Sequence, residues 1–525
     1  MKKLFLVLTL LLGLVLLVAC GPEETPEDTT YTVTFNSAGG SAVPSQTVEE
    51  GGKATEPTAP TRTGYNFQYW YLDNQNVPFN FNTVITADIT LTAYWTAQQV
   101  ENNGALIDFS NLFVPKSTIR VWIDDQAGEY MAEIIQEFNK IYPNIVVEHQ
   151  HMGTVDARER LKTFGPSGNG ADVFQFPHDH LAQAILEDLV YALPTDVAEN
   201  IAERAHPLGL DIATLWYDET AKSFDPSSPN AQEKLFAVPM SLESVGLYYN
   251  KAYVQTPATT YEQLLADADT WNAQLASDES GQTNAQKGWY YLGNSSHWAD
   301  SYFMQHIYSA FDFYPFGPTL DNPNEVGFAA LGVENGALEW IVEELKPRVT
   351  GTGAHNSVGG STNFENGNIP YVIAGPWMNK TYQDKGINFG IAPLPTIKGK
   401  ATRTFAGAQM AAVYKYSKNT ADAIKFVEFL ASDKAMEIQY RHMTKLPALQ
   451  QELLYDIPGV MEDPLMLAMS NQLETSVPMP TIPEVTYYWG PGETMITQVW
   501  NDAVLPSVAV VTAEESYQSR KAGAS

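Results

Sequence analysis

TIRVWIDDQAGEYMAEIIQEFNKIYPNIVVEH, residues 118–149, switches between two periodicities. Thr118 to Ile123 is a short apolar run rich in β-branched residues, which predicts a strand. Asp124-Asp125-Gln126-Ala127-Gly128 is a polar loop. Met131, Ile134, Ile135, Phe138 and Ile141 then recur at helical spacing, and Pro143 stops the helix. Ile145 to His149 predicts the next strand. Gly170-Ala171-Asp172-Val173-Phe174-Gln175-Phe176 predicts a third, followed by the loop Pro177-His178-Asp179-His180. A strand–helix–strand rhythm builds a parallel sheet of the α/β class, and such sheets take ligands in the loops beyond the strand ends.

Working outward, further runs follow: Pro239-Met240-Ser241-Leu242-Glu243-Ser244-Val245-Gly246-Leu247-Tyr248-Tyr249-Asn250-Lys251, Phe364-Glu365-Asn366-Gly367, Gly375-Pro376-Trp377, Leu394-Pro395-Thr396-Ile397-Lys398-Gly399 and Met479-Pro480-Thr481-Ile482-Pro483 with Trp489. Together with the strands above and His178-Asp179, these runs resemble the family 1 extracellular solute-binding proteins of ABC importers, and within them the maltose/maltodextrin-binding branch. The resemblance spans roughly residues 118–510. It implies an α/β protein with the two-lobed periplasmic-binding-protein type II fold. The first lobe would hold about 118–241 and 411–456, the second about 246–405 and 457–515, within a solute-binding domain of 118–525. The segments Leu242–Gly246 and Phe405-Ala406-Gly407-Ala408 would be hinges that absorb the dihedral change as the lobes close, with the ligand in the cleft between them.

A pyranose offers an apolar face and a rim of hydroxyls, so its site needs aromatic planes and planar polar groups. Carboxylates suit hydroxyl donors because charge-assisted bonds are the strong ones. By resemblance, Trp377, Tyr302 and Trp489 are the stacking planes, Phe176 stands where the branch often has Trp, and Asp179, Glu243 and Asp300 are the acids. Asp124 in the first loop and His180, where the branch has Arg, complete the sugar-binding set. That loop is about one residue shorter than the branch pattern and lacks its Lys, so two cations are missing at one end of the site. Read from the residues alone, alternatives stay open. A Trp after Gly-Pro is often core, Tyr487-Tyr488-Trp489 also fits a packed strand edge, and Asp179 also fits a helix cap before His180. Most aromatics between Trp298 and Phe316 must be core. Glu243 sits in a mostly uncharged stretch, where a lone buried carboxylate is costly unless bonded.

Composition narrows the classes. The chain has 525 residues, 61 acidic and 30 basic, for a formal charge of −31. That balance argues against a nucleic-acid partner, because affinity for phosphate backbones comes from clustered Lys and Arg. A single cysteine, Cys20, excludes disulfides and thiolate metal sites downstream. His149 and His151 lie two apart on a strand without a known ligand pattern, and the expectation is no metal and no cofactor. No H-E-x-x-H, Walker A, G-x-S-x-G or G-x-G-x-x-G motif occurs. The enzyme rival is a glycosidase, whose two carboxylates must stand about 5–9.5 Å apart; the binding-protein resemblance sets it aside.

The N-terminal region has its own grammar. Lys2-Lys3, an apolar run from Leu4 to Leu17, and Leu17-Val18-Ala19-Cys20 form a secretory signal over 1–20 that resembles the bacterial lipobox, with Cys20 as the acylation site. Acyl chains on Cys20 would hold the protein in the lipid bilayer outside the cytoplasm. Residues 21–30 are a flexible acidic spacer. Over 31–96, alternation in Tyr31-Thr32-Val33-Thr34-Phe35 and Ile89-Thr90-Leu91, with Gly39-Gly40, Pro60-Thr61-Arg62-Thr63-Gly64-Tyr65, Trp70-Tyr71 and Trp95, resembles the Listeria–Bacteroides repeat, a small β-grasp module of internalin-type surface proteins. It is either a spacer or an adhesion unit. Residues 97–117 are a linker. The partners this implies are an oligosaccharide, ABC permease subunits and the bilayer, with the protein a monomer.

Overall fold

The strand Ser117–Ile123 buries Ile119, Val121, Trp122 and Ile123, so both its faces are covered. That is the mark of an interior strand in an α/β sheet. In the computed structural model, which describes residues 29–62, 65–72, 78–97, 101–102, 105–106, 116–332, 336–351, 353–355 and 360–523, this strand runs parallel to both Ile145–His151 and Val173–Pro177. The sheet then continues through Phe405–Val413, antiparallel to Val173–Pro177, to Val238–Glu243 and Leu446–Pro447. Every residue of Phe405–Val413 is buried. Cys20, the signal and most of the linker lie outside the described residues.

The helix Glu129–Ile141 buries Tyr130, Met131, Ile134 and Phe138, three and four apart, against this sheet. Asp125 fixes its start. One carboxylate oxygen accepts the Gly128 N–H and the other the Met131 N–H, both at 2.9 Å. Gly128 itself sits at φ 78°, a left-handed conformation that glycine adopts freely. Phe138 meets Phe426 and Phe429 edge-on at 5.0 and 5.5 Å, which locks the helix to Thr420–Leu430.

The second lobe is built on a four-stranded sheet in the order Leu292–Asn294, Tyr371–Ala374, Gly246–Asn250, Phe389–Ala392. Its core takes up the aromatic run as expected: Trp298, Phe303, Tyr308, Phe313 and Phe316 are buried with Trp340, Tyr488 and Trp500. The chain leaves the first sheet after Glu243 and enters the second at Gly246. At this crossing Ser244 Oγ lies 2.6 Å from Thr404 Oγ1 and 2.8 Å from the Phe405 carbonyl, and Thr404 Oγ1 lies 2.6 Å from Ser476 Oγ. These hydroxyls tie three crossing segments with short bonds.

The described residues between 29 and 106 form a separate compact unit. There Thr30–Asn36 pairs antiparallel with Gln46–Glu49 and parallel with Ile89–Ala97, which pairs antiparallel with Tyr65–Leu72. Trp70 and Trp95 fill its core with Val33, Phe35 and Leu91. Gly40 is required: a Cβ there would lie 2.4 Å from the Trp95 ring. Trp95 Nε1 donates to the Ser37 carbonyl at 3.0 Å and so fastens the same turn.

Candidate functional site

The loops that follow the first-lobe strands converge on a cavity of about 450 Å³ whose far wall is second-lobe aromatic. Asp124 comes from the loop after Ser117–Ile123, and Asp179 and His180 from the single turn His178–His180 after Val173–Pro177. Glu243 is the last residue of its strand. From the other side come Asp300 and Tyr302 at the start of the helix Ser301–Ala310, Trp377 in the turn Pro376–Met378, and Trp489 in the helix Val485–Asn501.

Three rings shape the apolar wall. The Tyr302 ring is 6.4 Å from Trp377 at 49°, and 6.5 Å from Trp489 at 68°. Trp377 is 36% exposed and lines the cavity. The Gly-Pro-Trp run has a physical reason here. The indole lies over its own Gly375, where a Cβ would come within 2.2 Å of the ring, and Pro376 starts the short turn that aims it. Asp300 holds Tyr302 in place. One carboxylate oxygen caps the helix by accepting the Tyr302 N–H at 2.9 Å, and the other accepts Ser296 Oγ at 2.6 Å. With both oxygens engaged, its first task is positioning.

The polar wall centres on Glu243. Its Oε1 accepts the Gln409 amide at 2.7 Å, while Oε2 is buried with no partner among the described residues. Burial raises this carboxyl above its ordinary value; the nearby Lys445 and the Gln409 bond pull it down. Lys445 is itself buried. Asp179 Oδ2 accepts Trp489 Nε1 at 3.0 Å, a bond from a first-lobe turn to a second-lobe helix. No side-chain cap bond is made at the start of the turn His178–His180 or of the helix Leu181–Leu186, so the capping alternative for Asp179 falls away. His180 Nδ1 is also buried without a partner among the described residues, and burial lowers the imidazole, which keeps it neutral. Asp124 is more open: its N–H donates to Gln175 Oε1 at 3.0 Å, and its carboxylate lies 3.4 Å from His151.

Eight of the nine predicted sugar-binding residues line this one hollow; Phe176 does not. Phe176 is fully buried and stacks on Phe174 at 4.9 Å and 26° in the first-lobe core. Its strand is covered on both faces, so the side chain next to the loop still points into packing. Trp489 lies on a helix, not on a strand edge. Gln409 and Lys445 line the cavity without any local sequence signal, and His178, part of the His178-Asp179 motif, lines it beside the predicted set. His178 is held as a neutral tautomer: Nδ1 accepts the Ala408 N–H at 3.2 Å and Nε2 donates to the Met479 carbonyl at 3.2 Å. Its ring packs over Gly407, where a Cβ would come within 3.2 Å of it. Aromatic planes, neutral imidazoles and a carboxylate oxygen in need of a donor suit an uncharged, polyhydroxylated ligand.

Comparison with known proteins agrees on the fold. The chain is 25% identical over 408 residues to the galactooligosaccharide-binding protein of Bacillus subtilis, covering 76% of this chain and 88% of that protein. It is 24% identical over 383 residues to a maltooligosaccharide ABC transporter solute-binding lipoprotein of Streptococcus pneumoniae, covering 72% and 82%. Among solved structures, a cyclo/maltodextrin-binding protein complexed with maltotetraose superposes with a TM-score of 0.60 at 26% identity, over 77% of this chain and 97% of that one. The Thermus thermophilus maltotriose-binding protein gives 0.63 at 22%, over 76% and 99%. Both share the two-lobed type II fold. Residues 31–94 match the Listeria–Bacteroides repeat domain. Residues 124–437, more than half of the chain, match a family of solute-binding proteins, not enzymes. The chain belongs to the bacterial extracellular solute-binding protein family.

Proposed function

We propose that this protein is the receptor of a carbohydrate ABC importer. It captures a maltodextrin-like oligosaccharide outside the membrane and hands it to the permease, acting as a monomer anchored through acylated Cys20. One observation carries the reading: Tyr302, Trp377 and Trp489 face a buried, half-satisfied Glu243 across a single cavity. The rings stack on pyranose faces, and Glu243 Oε2 accepts a sugar hydroxyl. Asp179 and His180 bond the rim. The apolar run ending at Cys20 and the small residues before it support the anchor. Residues 31–94 then lift the binding domain from the bilayer.

A second reading has its own support. The relative from Bacillus subtilis is named for galactooligosaccharides, and His180 replaces a cation expected at one end of the site. The fold and chemistry are the same under this reading; only the sugar differs. Isothermal titration of the full chain with maltose, maltotriose, maltotetraose and a galactooligosaccharide separates the two. Saturable binding of the maltodextrins supports the first reading, and selective binding of the galactooligosaccharide the second. Binding of no oligosaccharide sinks both.

A further inference from the structure

Away from the cavity, His297, His355 and Glu493 place their ligand atoms within 4.8 Å of one another. His297 lies in the loop before the helix Ser301–Ala310, and Glu493 is one turn beyond Trp489 on Val485–Asn501. His355 follows Ala354, whose backbone is held at both its N–H and its carbonyl. The Ala354 N–H donates to Asn501 Oδ1 at 2.9 Å, and the Ala354 carbonyl accepts the Trp298 N–H at 2.8 Å. The His297 carbonyl accepts the Asp300 N–H at 3.1 Å. Three backbone segments thus present the three side chains from fixed positions.

The hydrogen-bond census around them does not close. Thr497 Oγ1 donates its only proton to the Glu493 carbonyl at 2.8 Å. It can therefore only accept from His355 Nε2, 2.6 Å away, so that nitrogen carries the proton. His355 Nδ1 then faces Glu493 Oε1 at 3.2 Å, a contact that a second ring proton or a cation would bridge. His297 Nε2 lies 3.7 Å from the same oxygen, and its Nδ1 is buried with no partner among the described residues. One cation between the three groups would bridge His355 Nδ1 and Glu493 Oε1 and take His297 Nε2 as a third ligand. A hydrogen-bonded second nitrogen that fixes the tautomer of a ligating imidazole is the usual support of a metal site.

We propose that His297, His355 and Glu493 bind a zinc-class divalent ion. Two imidazole nitrogens and one carboxylate suit Zn²⁺, at about 2.0–2.2 Å from each ligand; Mg²⁺ and Ca²⁺ prefer sites built of oxygen. The half-exposed His355 and Glu493 side chains have the freedom to close on the ion. A tetrahedral ion at those lengths sets its ligands roughly 3.4 Å apart, so modest torsions suffice. Bound there, the ion fastens the helix of Trp489 to the loop that positions Tyr302. The pair His149 and His151 is a poorer site, because His149 Nε2 is engaged with the Ile123 carbonyl at 3.1 Å. The proposal stands whatever the sugar.

The test is titration of Zn²⁺ into chelator-stripped full-length protein by calorimetry, followed by thermal melting. One equivalent should bind, and the melting temperature should rise. His297→Ala, His355→Ala and Glu493→Gln should each weaken binding at least about tenfold, while a His149→Ala/His151→Ala double variant binds as wild type. Glu493→Gln keeps the side-chain shape and guards against misfolding of the histidine variants; metal-free melting curves report their integrity. Absence of stoichiometric binding overturns the proposal. So does binding unchanged in all three single variants, or lost only in the double variant.

Discussion

Replacing Glu243 by Gln should move affinity and stability in opposite directions. The substitution keeps the side-chain shape and leaves an oxygen for the 2.7 Å bond from Gln409, but removes the charge at Oε2. A hydrogen bond to a charged acceptor is worth about 1.5–3 kcal/mol, against about 0.5–1.5 for a neutral one. The difference, about 1–1.5 kcal/mol, raises Kd for the oligosaccharide about five- to tenfold. The free protein should gain. A buried acceptor without a partner costs about 1–3 kcal/mol, and burial already holds this carboxyl above 4.5. In the interval just above 4.5 the native state therefore binds more protons than the unfolded chain, so the stability contributed by Glu243 falls as pH rises through that interval. In Glu243→Gln that fall is absent, and the ligand-free variant is the more stable protein at about pH 7. Calorimetric titration gives Kd, and urea unfolding from about pH 5 to pH 8 gives the stability profile. An unchanged Kd, or a variant less stable than wild type at neutral pH, refutes the reasoning.

The remaining expectations follow from the rings and the glycines beneath them. Trp377→Ala removes the exposed plane and should weaken oligosaccharide binding about tenfold or more, on the order of 1.4 kcal/mol; unchanged affinity by titration takes Trp377 out of the site. Gly375→Ala puts a Cβ within 2.2 Å of the Trp377 indole and should displace the ring. The measurable result is lower affinity with a melting curve close to wild type, and wild-type affinity would show that the ring's present position does not matter. Gly40→Ala drives a Cβ to 2.4 Å from Trp95 and should destabilise the N-terminal unit by about 1–3 kcal/mol, seen as earlier melting or proteolysis of that unit. Sugar affinity should not change, and a parallel loss of affinity would assign the repeat a part in binding.

The sequence announced the first lobe because strand and helix alternate cleanly there: the 3.6 spacing of Met131, Ile134 and Phe138 becomes the buried face of Glu129–Ile141. Legibility failed where burial removes the periodic signal. Val173–Pro177 is covered on both faces, so alternation gave no hint that Phe176 packs inward while Asp179, three residues on, reaches the cavity. The helix Val485–Asn501 carries Gly490, Pro491 and Gly492 in its middle, residues that punctuate rather than propagate a helix; packing against the second-lobe core overrides them. Lys445 and Gln409 belong to the polar wall only because segments far apart in the sequence converge there, and no local pattern marks either one. The Gly-Pro-Trp run was readable as a motif, but its reason is steric and appeared only once the indole was seen lying on Gly375.

A crystal structure of the full-length protein with maltotetraose bound bears most directly on the account. It should show a pyranose face against Trp377 and Tyr302, and a sugar hydroxyl within about 3 Å of Glu243 Oε2. Sugar bound elsewhere, with these rings and this carboxylate untouched, would contradict it.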